Sequence, residues 1–125
     1  MNYGILAGVQ EYKVVLTWEA IYDIIDIADY IELNFGKNIA DRFQSNIKEQ
    51  LEKLEYLGGV LSSTDIIYRG FNICKKIFSP SIIFYVIKED VKEIHVLRVL
   101  REEKDWISIL KQTQEYTYPY WISSS

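Results

Sequence analysis

The sequence contains a single cysteine, Cys74, and a single histidine, His95. One cysteine excludes an internal disulfide, which fits a reducing compartment. No run of about 18 apolar residues occurs, so the sequence predicts no membrane-spanning helix. The first ten residues lack lysine and arginine and hold only a short apolar patch, so no secretory signal is expected. These absences favour a cytoplasmic protein.

The chain also lacks the basic excess that is typical of nucleic-acid-binding domains. Its net charge is −4, and residues 1–64 carry twice as many acidic as basic residues. Residues 65–104 are mildly basic, so any contact with RNA or DNA must come from a local patch. A length of 125 residues with 49% apolar and 26% charged residues predicts one soluble globular domain. Ten tyrosines indicate that some line a surface or an interface.

The most informative segment runs from Ile82 to Trp106. Ile82–Ile87 is an apolar run of β-branched and aromatic residues, which predicts a strand buried on both faces in the middle of a sheet. A charged turn follows, and a second strand then ends with Arg98 and Arg101. Because a strand pair is rigid, its end can hold these cations in fixed positions, and we expect a functional site there.

The N-terminal half predicts two helices that follow a strand at residues 11–16. Thr17 is a suitable N-cap for a helix that begins at Trp18, and Gly36 can end that helix with a positive φ. A second helical repeat is predicted between Gly36 and Gly58-Gly59, and the short connection makes the two helices antiparallel neighbours. The apolar stripes expected to face the sheet are Ile21, Ile24, Ile25, Ala28, Ile31 and Phe35 in the first helix, and Ile39, Phe43, Ile47, Leu51 and Leu54 in the second.

The remaining elements are a loop at residues 60–67, a strand from Tyr68 to Phe78 with a possible bulge at Gly70, and a helix from Glu102 to Gln112. The predicted fold is therefore α+β, with an antiparallel β-sheet covered by an N-terminal helical hairpin in the order β-α-α-β-β-β-α. We expect a flexible lead at residues 1–10, one domain at 11–111 and a Tyr-rich tail at 112–125.

Four short motifs occur in a fixed order along the chain. They are Tyr12–Thr17 with Ala20, Asp23, Ile27 and Tyr30-Ile31; Phe35-Gly36 with Ala40 and Phe43; Arg69-Gly70 with Phe84-Tyr85; and Ile94–Val99 with Asp105-Trp106. In these motifs, over roughly residues 11 to 111, the chain resembles the RelE/ParE superfamily, the toxin halves of bacterial type II toxin–antitoxin pairs.

The resemblance implies a growth-inhibiting toxin that a cognate antitoxin neutralises, with no cofactor and no metal. RelE-like members cut mRNA on the ribosome, whereas ParE-like members block DNA gyrase without chemistry. This sequence has Ile82 where many members have arginine, and Arg101, Glu103 and Lys104 where the family often has His or Tyr followed by two basic residues. These differences favour a target other than mRNA. The alternative is a degenerate, non-toxic protein-binding domain.

Metal-free RNA cleavage needs a base for the 2′-hydroxyl proton and cations for the charged phosphorane. Arg98 and Arg101 are the candidate catalytic residues, although strand alternation does not require them to point the same way. The alternative for Arg98 is a salt bridge to the helical half. The candidate residues for binding RNA or another target are Arg69, Lys75, Lys76, Lys104 and Tyr85.

Other reactive side chains have simpler interpretations. His95 is expected to be a solvated strand histidine rather than a general base, and Tyr85 and Cys74 are expected to pack in the core. Asp23, Asp26 and Asp29 are interpreted as a solvated helix face rather than a Mg²⁺ site. One open face of the sheet is expected to form a groove for a largely apolar antitoxin segment, bound as a helix or as an added strand.

Overall fold

The computed structural model describes residues 11–56 and 62–119. The elements are β1 (Lys13–Leu16), α1 (Trp18–Phe35), α2 (Lys37–Lys53), a 3₁₀ turn (Leu54–Tyr56), β2 (Ser63–Tyr68), β3 (Phe71–Phe78), β4 (Ser81–Lys88), β5 (Glu93–Arg101) and α3 (Trp106–Gln112). The α+β class is confirmed, but the sheet has one strand more than expected and the helical hairpin follows β1. The predicted stop at Gly58-Gly59 lies outside the described residues. No helix in the two described ranges is long and apolar enough to cross a membrane.

The five strands form one sheet in the order β1-β5-β4-β3-β2. The prediction that Ile82–Ile87 forms the middle strand is confirmed, because β4 has two strands on either side. The prediction of a purely antiparallel sheet is wrong, since β1 pairs with β5 in parallel. A parallel pair requires a long connection, and here the helical hairpin and three strands separate β1 from β5.

Strand β2 occupies most of the segment that the sequence predicts as a loop. Its pairing with β3 shifts register between Ser63 and Ile67, and Asp65 has a φ of 64°. This irregularity removes the alternation of apolar and polar residues that identifies a strand. Arg69 and Gly70 both have positive φ, and they form the two-residue turn that joins β2 to β3. Gly70 is therefore a turn residue and not a bulge.

The start and end of α1 follow the sequence signals. The Ala20 N–H donates to the Thr17 hydroxyl oxygen at 2.9 Å, which confirms the predicted N-cap. The Thr17 hydroxyl in turn donates to the Leu97 carbonyl at 2.8 Å and so fixes the first turn of α1 against β5. Gly36 ends the helix with a φ of 96°.

One face of the sheet packs against the helical hairpin. The buried side chains of this first core include Ala20, Ile27 and Ala28 from α1, Phe43 and Ile47 from α2, and Cys74, Ile83, Tyr85, Ile94, Val96 and Val99 from the sheet. The core packing predicted for Tyr85 and Cys74 is confirmed. Ile25 and Phe35, which the apolar stripe of α1 places in the core, are instead 48% and 65% exposed.

The other face of the sheet is covered by α3 and by the chain that follows it. Ile73, Phe84 and Leu97 form a second core with Leu110 of α3 and with Tyr116. The prediction that this face stays open as a groove is therefore wrong. Helix α3 begins at Trp106 with Asp105 as its cap, four residues later than predicted, because residues 102–104 form a turn.

We call residues Thr113–Pro119 the C-terminal strap. The Trp18 N–H donates to the Thr117 carbonyl at 2.8 Å, and the Thr117 hydroxyl donates to Glu19 at 2.9 Å. The Tyr116 N–H donates to the Tyr68 hydroxyl at 3.2 Å. The strap thus joins the start of α1 to the end of β2 across the second face.

We predict that Tyr116→Ala lowers the free energy of unfolding by about 3 kcal/mol, because removing a large buried ring leaves a cavity. Tyr116 is only 5% exposed, and its ring meets the Tyr68 ring edge-on at 4.9 Å. Urea unfolding followed by tryptophan fluorescence gives the difference. The control is Tyr56→Ala at a 45% exposed site, for which we expect a change within about 0.5 kcal/mol. Equal losses in the two variants would show that the strap does not stabilise the fold.

Candidate functional site

A bulge in β5 lies directly before the segment that carries the two arginines. Tyr85 pairs with Val96, whereas Phe84 pairs with Arg98, so Leu97 is an extra residue in β5. The extra residue resets the alternation of side chains along the strand. Arg98 and Arg101 both follow the bulge, three residues apart, and both contact α1, Arg98 through Asp23 and Arg101 through Tyr30.

Arg98 forms a two-point ion pair with Asp23 of α1. Its Nε donates to Asp23 Oδ2 at 2.7 Å and its Nη2 donates to Oδ1 at 2.8 Å. The Val99 N–H donates to the same carboxylate at 3.0 Å. The side chains of Arg98 and Asp23 are only 20% and 10% exposed. Arg98 therefore forms a salt bridge to the helical half, the alternative that the sequence left open, and Asp23 does not belong to a solvated helix face.

Burial and the neighbouring charge both shift the pKa values of Asp23 and Arg98. Burial raises the pKa of the Asp23 carboxyl, and the Arg98 guanidinium and the Val99 N–H oppose that rise. The hydrogen-bonded Asp23 carboxylate raises the pKa of Arg98. Arg98 is therefore a fixed cation whose charge is matched by a carboxylate within the protein.

Arg101 lies on the ring of Tyr30, which is about two turns of α1 beyond Asp23. Its guanidinium carbon is 3.8 Å from the ring centroid, which is a close cation–π contact. Its Nε donates to Glu103 Oε2 at 2.6 Å, and its Nη2 contacts the same oxygen. The Arg101 side chain is 21% exposed, whereas that of Glu103 is 56% exposed. The aromatic ring thus positions Arg101, and a solvent-exposed carboxylate neutralises it.

An open cleft of about 350 Å³ lies between α1 and the end of β5. Three of the residues predicted from the sequence, Arg98, Arg101 and Lys104, line it. The wall contributed by α1 consists of Asp23, Asp26, Ile27 and Tyr30. The cleft therefore has both signs of charge and an aromatic side chain.

The other predicted target-binding residues lie elsewhere. Arg69 is in the β2–β3 turn, 3.7 Å from Glu115 of the strap, and Lys75 lies over the Trp106 ring on the second face. Lys76 is partly buried, and burial lowers its pKa. Tyr85 is 2% exposed in the first core, where burial raises its pKa to about 12. None of these four residues lines the cleft.

His95 lies on the second face of the sheet, away from the arginines. It is 6% exposed, so the prediction of a solvated histidine is wrong. Its Nδ1 is 2.7 Å from the Tyr118 hydroxyl, and its Nε2 is 2.9 Å from Glu93 Oε1. Burial lowers the pKa of His95. A neutral ring satisfies both contacts if Tyr118 donates to Nδ1 and Nε2–H donates to Glu93.

Metal ligands and cysteine chemistry receive no support from the described ranges. No group of three or more His, Cys, Asp or Glu side chains is arranged there to hold a metal ion. Cys74 is buried in the first core, and burial raises the pKa of its thiol, which disfavours the reactive thiolate.

Sequence comparison places the chain in a known family. The sequence model described as "ParE toxin of type II toxin-antitoxin system, parDE" matches residues 14–106, which is most of the chain. The chain belongs to the ParE toxin family. This assignment confirms the resemblance to RelE/ParE toxins. The match ends at Trp106, so most of α3 and the whole C-terminal strap of this ParE-family toxin lie beyond it.

Structural comparison agrees with the family assignment. The fold is similar to that of a chain from the chromosomal ParDE TA system from P. aeruginosa, with a TM-score of 0.61 and 21% identity. The alignment covers 74% of this chain and 98% of that chain. Comparison with curated protein sequences gives no significant match.

Sequence reasoning gave no role at the site to Tyr30, which lines the cleft, or to Glu103, which pairs with Arg101. A signal for Tyr30 exists, because Asp23, Asp26 and Tyr30 recur at spacings of three and four and therefore share one face of α1. No comparable signal identifies Glu103, since its contact depends on the turn that follows β5.

We predict that Asp23→Ala lowers the free energy of unfolding by about 3 kcal/mol, because it leaves the poorly exposed Arg98 cation without its partner. Chemical denaturation measures the change. The matched control is Asp41→Ala, which breaks the exposed i,i+4 pair with Lys37 and is expected to change stability by less than about 0.5 kcal/mol. Similar values for the two variants would mean that the Asp23–Arg98 pair does not hold α1 against β5.

We also predict that the protein loses stability as the pH falls from 7.5 to 5.5. The pKa of His95 is lower in the folded chain than its ordinary value of 6.5. As the pH falls below 6.5, His95 is therefore protonated to a greater extent in the unfolded chain than in the folded chain, and this difference favours unfolding. The loss is at most about 1.4 kcal/mol per pH unit for one group. Urea unfolding at both pH values measures it, and His95→Gln should flatten the dependence. An unchanged slope in that variant would assign the effect to other groups.

Proposed function

We propose that this chain is a growth-inhibiting toxin that acts in the cytoplasm by binding DNA gyrase through the cleft, without catalysing a reaction, and that a cognate antitoxin neutralises it. The observation that carries the proposal is the ion pair between Arg98 and Asp23. Arg98 is one of the two candidate catalytic residues, yet its Nε and Nη2 donors point to a carboxylate of the same chain.

The charge balance of the cleft also supports a protein target over RNA. Its three cations, Arg98, Arg101 and Lys104, are accompanied by the carboxylates of Asp23, Asp26 and Glu103. A polyanion binds best to a surface with an excess of positive charge. A mixed surface with an aromatic residue is typical of protein interfaces, where both signs of charge set the orientation of the partner.

The antitoxin part of the proposal is supported by exposed apolar side chains on α1. Tyr22, Ile25 and Leu33 are 58%, 48% and 86% exposed, and their spacing places them on one side of the helix. Exposed apolar side chains on one side of a helix are surface that a partner protein can cover. The structural neighbour is described as a ParDE TA system, which adds an analogy for a paired partner.

A degenerate, non-toxic domain is the second candidate, and one observation favours it. Both arginines at the end of β5 are neutralised by carboxylates of the same chain, Arg98 by Asp23 and Arg101 by Glu103. A domain that has kept only its fold and its partner surface would show such internal pairs.

Inducible expression in bacteria without any partner gene tests the proposal. We expect growth arrest, intact cellular mRNA by primer extension, and inhibition of gyrase supercoiling by the purified protein. Arg101→Ala should weaken the inhibition at least about tenfold, since one charge-assisted contact contributes about 1.5–3 kcal/mol. The control Lys37→Ala, at an exposed site on α2, should inhibit normally. Discrete cuts in mRNA would indicate ribosome-dependent cleavage instead, and unaffected growth would favour the degenerate domain.

A further inference from the structure

A second cavity continues the cleft on the far side of Arg101. It has a volume of about 230 Å³ and is lined by Ile31, Phe35, Pro80 and Glu103. It shares Ile27, Tyr30 and Arg101 with the cleft. The two cavities therefore form one groove along α1, which we call the junction groove, with the Arg101–Tyr30 contact at its centre.

The second cavity offers apolar surface that the fold leaves uncovered. Phe35, the last residue of α1, is 65% exposed, and Ile31 beside it in the lining is only partly buried. An exposed aromatic ring at the rim of a cavity is a favourable contact for an apolar side chain of a partner. This end of the groove therefore suits a hydrophobic group.

The ion pair at the centre of the groove is open to solvent on the Glu103 side. Arg101 directs both Nε and Nη2 to one oxygen, Oε2, of Glu103. A guanidinium fork matches the two oxygens of a carboxylate, so Arg101 is suited to bind a carboxylate supplied by a partner. Glu103 is mostly exposed and lies in a turn closed by the Lys104 N–H and the Arg101 carbonyl at 3.0 Å. The Glu103 side chain can therefore move into solvent when a carboxylate of a partner binds to Arg101 through both of its oxygens.

Tyr30 keeps Arg101 in position while a carboxylate of a partner replaces that of Glu103. Because the ring holds the guanidinium at 3.8 Å, the cation stays in the groove when Glu103 leaves. Lys104 adds a second cation on the cleft side, so an incoming carboxylate enters a locally positive region. Asp26, at the same side, is unfavourable for a run of acidic residues.

We propose that the junction groove binds an extended polypeptide segment in which one acidic side chain neighbours one apolar side chain. The acidic side chain replaces Glu103 on Arg101 with two oxygens, and the apolar side chain enters the cavity beside Phe35. Glu103 is thus an internal substitute for the carboxylate of the partner. The assignment of this segment to DNA gyrase rests on the proposed function. The chemistry of the segment is inferred from the residues that line the groove.

The test uses the whole chain and a matched pair of short peptides, acetyl-Gly-Leu-Glu-Gly-amide and the same peptide with Gln in place of Glu. Binding is followed by NMR, through the Nε–H signal of Arg101 and the ring signals of Phe35. We expect the Glu peptide to shift both sets of signals and to bind about tenfold more tightly to Glu103→Gln than to the natural chain, because the internal competitor is removed. The Gln peptide should leave the Arg101 signal unchanged.

A second variant tests the proposed contact between the apolar side chain of the segment and Phe35. Phe35→Ser should weaken binding of the Glu peptide about tenfold, the loss expected when a buried aromatic contact is removed. Val91→Ser, at a 55% exposed site in the β4–β5 turn, should bind as the natural chain does.

Three results would overturn the proposal: equal affinity in Glu103→Gln and the natural chain, equal binding of the Gln peptide, or identical affinities in Phe35→Ser and the natural chain. The peptides bind without gyrase present, so loss of peptide binding with retained gyrase inhibition rejects the groove alone. Retained peptide binding without gyrase inhibition rejects the proposed target alone.

Discussion

The contact between α1 and the bulge of β5 is the constraint on which the rest of the structure depends. Thr17 bonds to the carbonyl of Leu97, the extra residue of the bulge, and Asp23 bonds to the next two residues, Arg98 and Val99. These bonds satisfy the polar groups that a bulge leaves without partners in the sheet. They also set the angle of α1 across the sheet, so the helical hairpin and the cleft beside it take their positions from one short stretch of β5.

This constraint gives the two arginines different roles although both contact α1. Arg98 is enclosed, and its charge is matched by a carboxylate that receives three hydrogen bonds. Arg101 is oriented by an aromatic ring and touches only an exposed carboxylate. A buried pair serves the fold, because separating it leaves an isolated charge. A preoriented cation near solvent serves recognition, because a ligand meets it without first having to order the side chain.

Sequence reasoning succeeded where the determining interactions are local. The cap at Thr17, the stop at Gly36 and the buried run of β4 each depend on residues within a few positions, and all three were predicted correctly. Strand β2 was missed because Asp65 has a positive φ that interrupts its pattern. The bulge in β5 could not be predicted, because it exists only in the register with β4. Only part of the site could be predicted. Arg98, Arg101 and Lys104 lie close together in sequence, whereas Tyr30 reaches them only through the packing of α1 against the sheet.

The C-terminal strap has a consequence for the order in which the protein matures. Tyr116 and Tyr118, which close the second core, follow all five strands in the chain, and Thr117 bonds to Glu19, 98 residues earlier. A ribosome therefore releases the complete sheet before it releases the residues that shield one side of it. Until those residues are in place, Ile73, Phe84 and Leu97 face solvent or chaperone, and the partly synthesised chain exposes an apolar sheet face that favours aggregation.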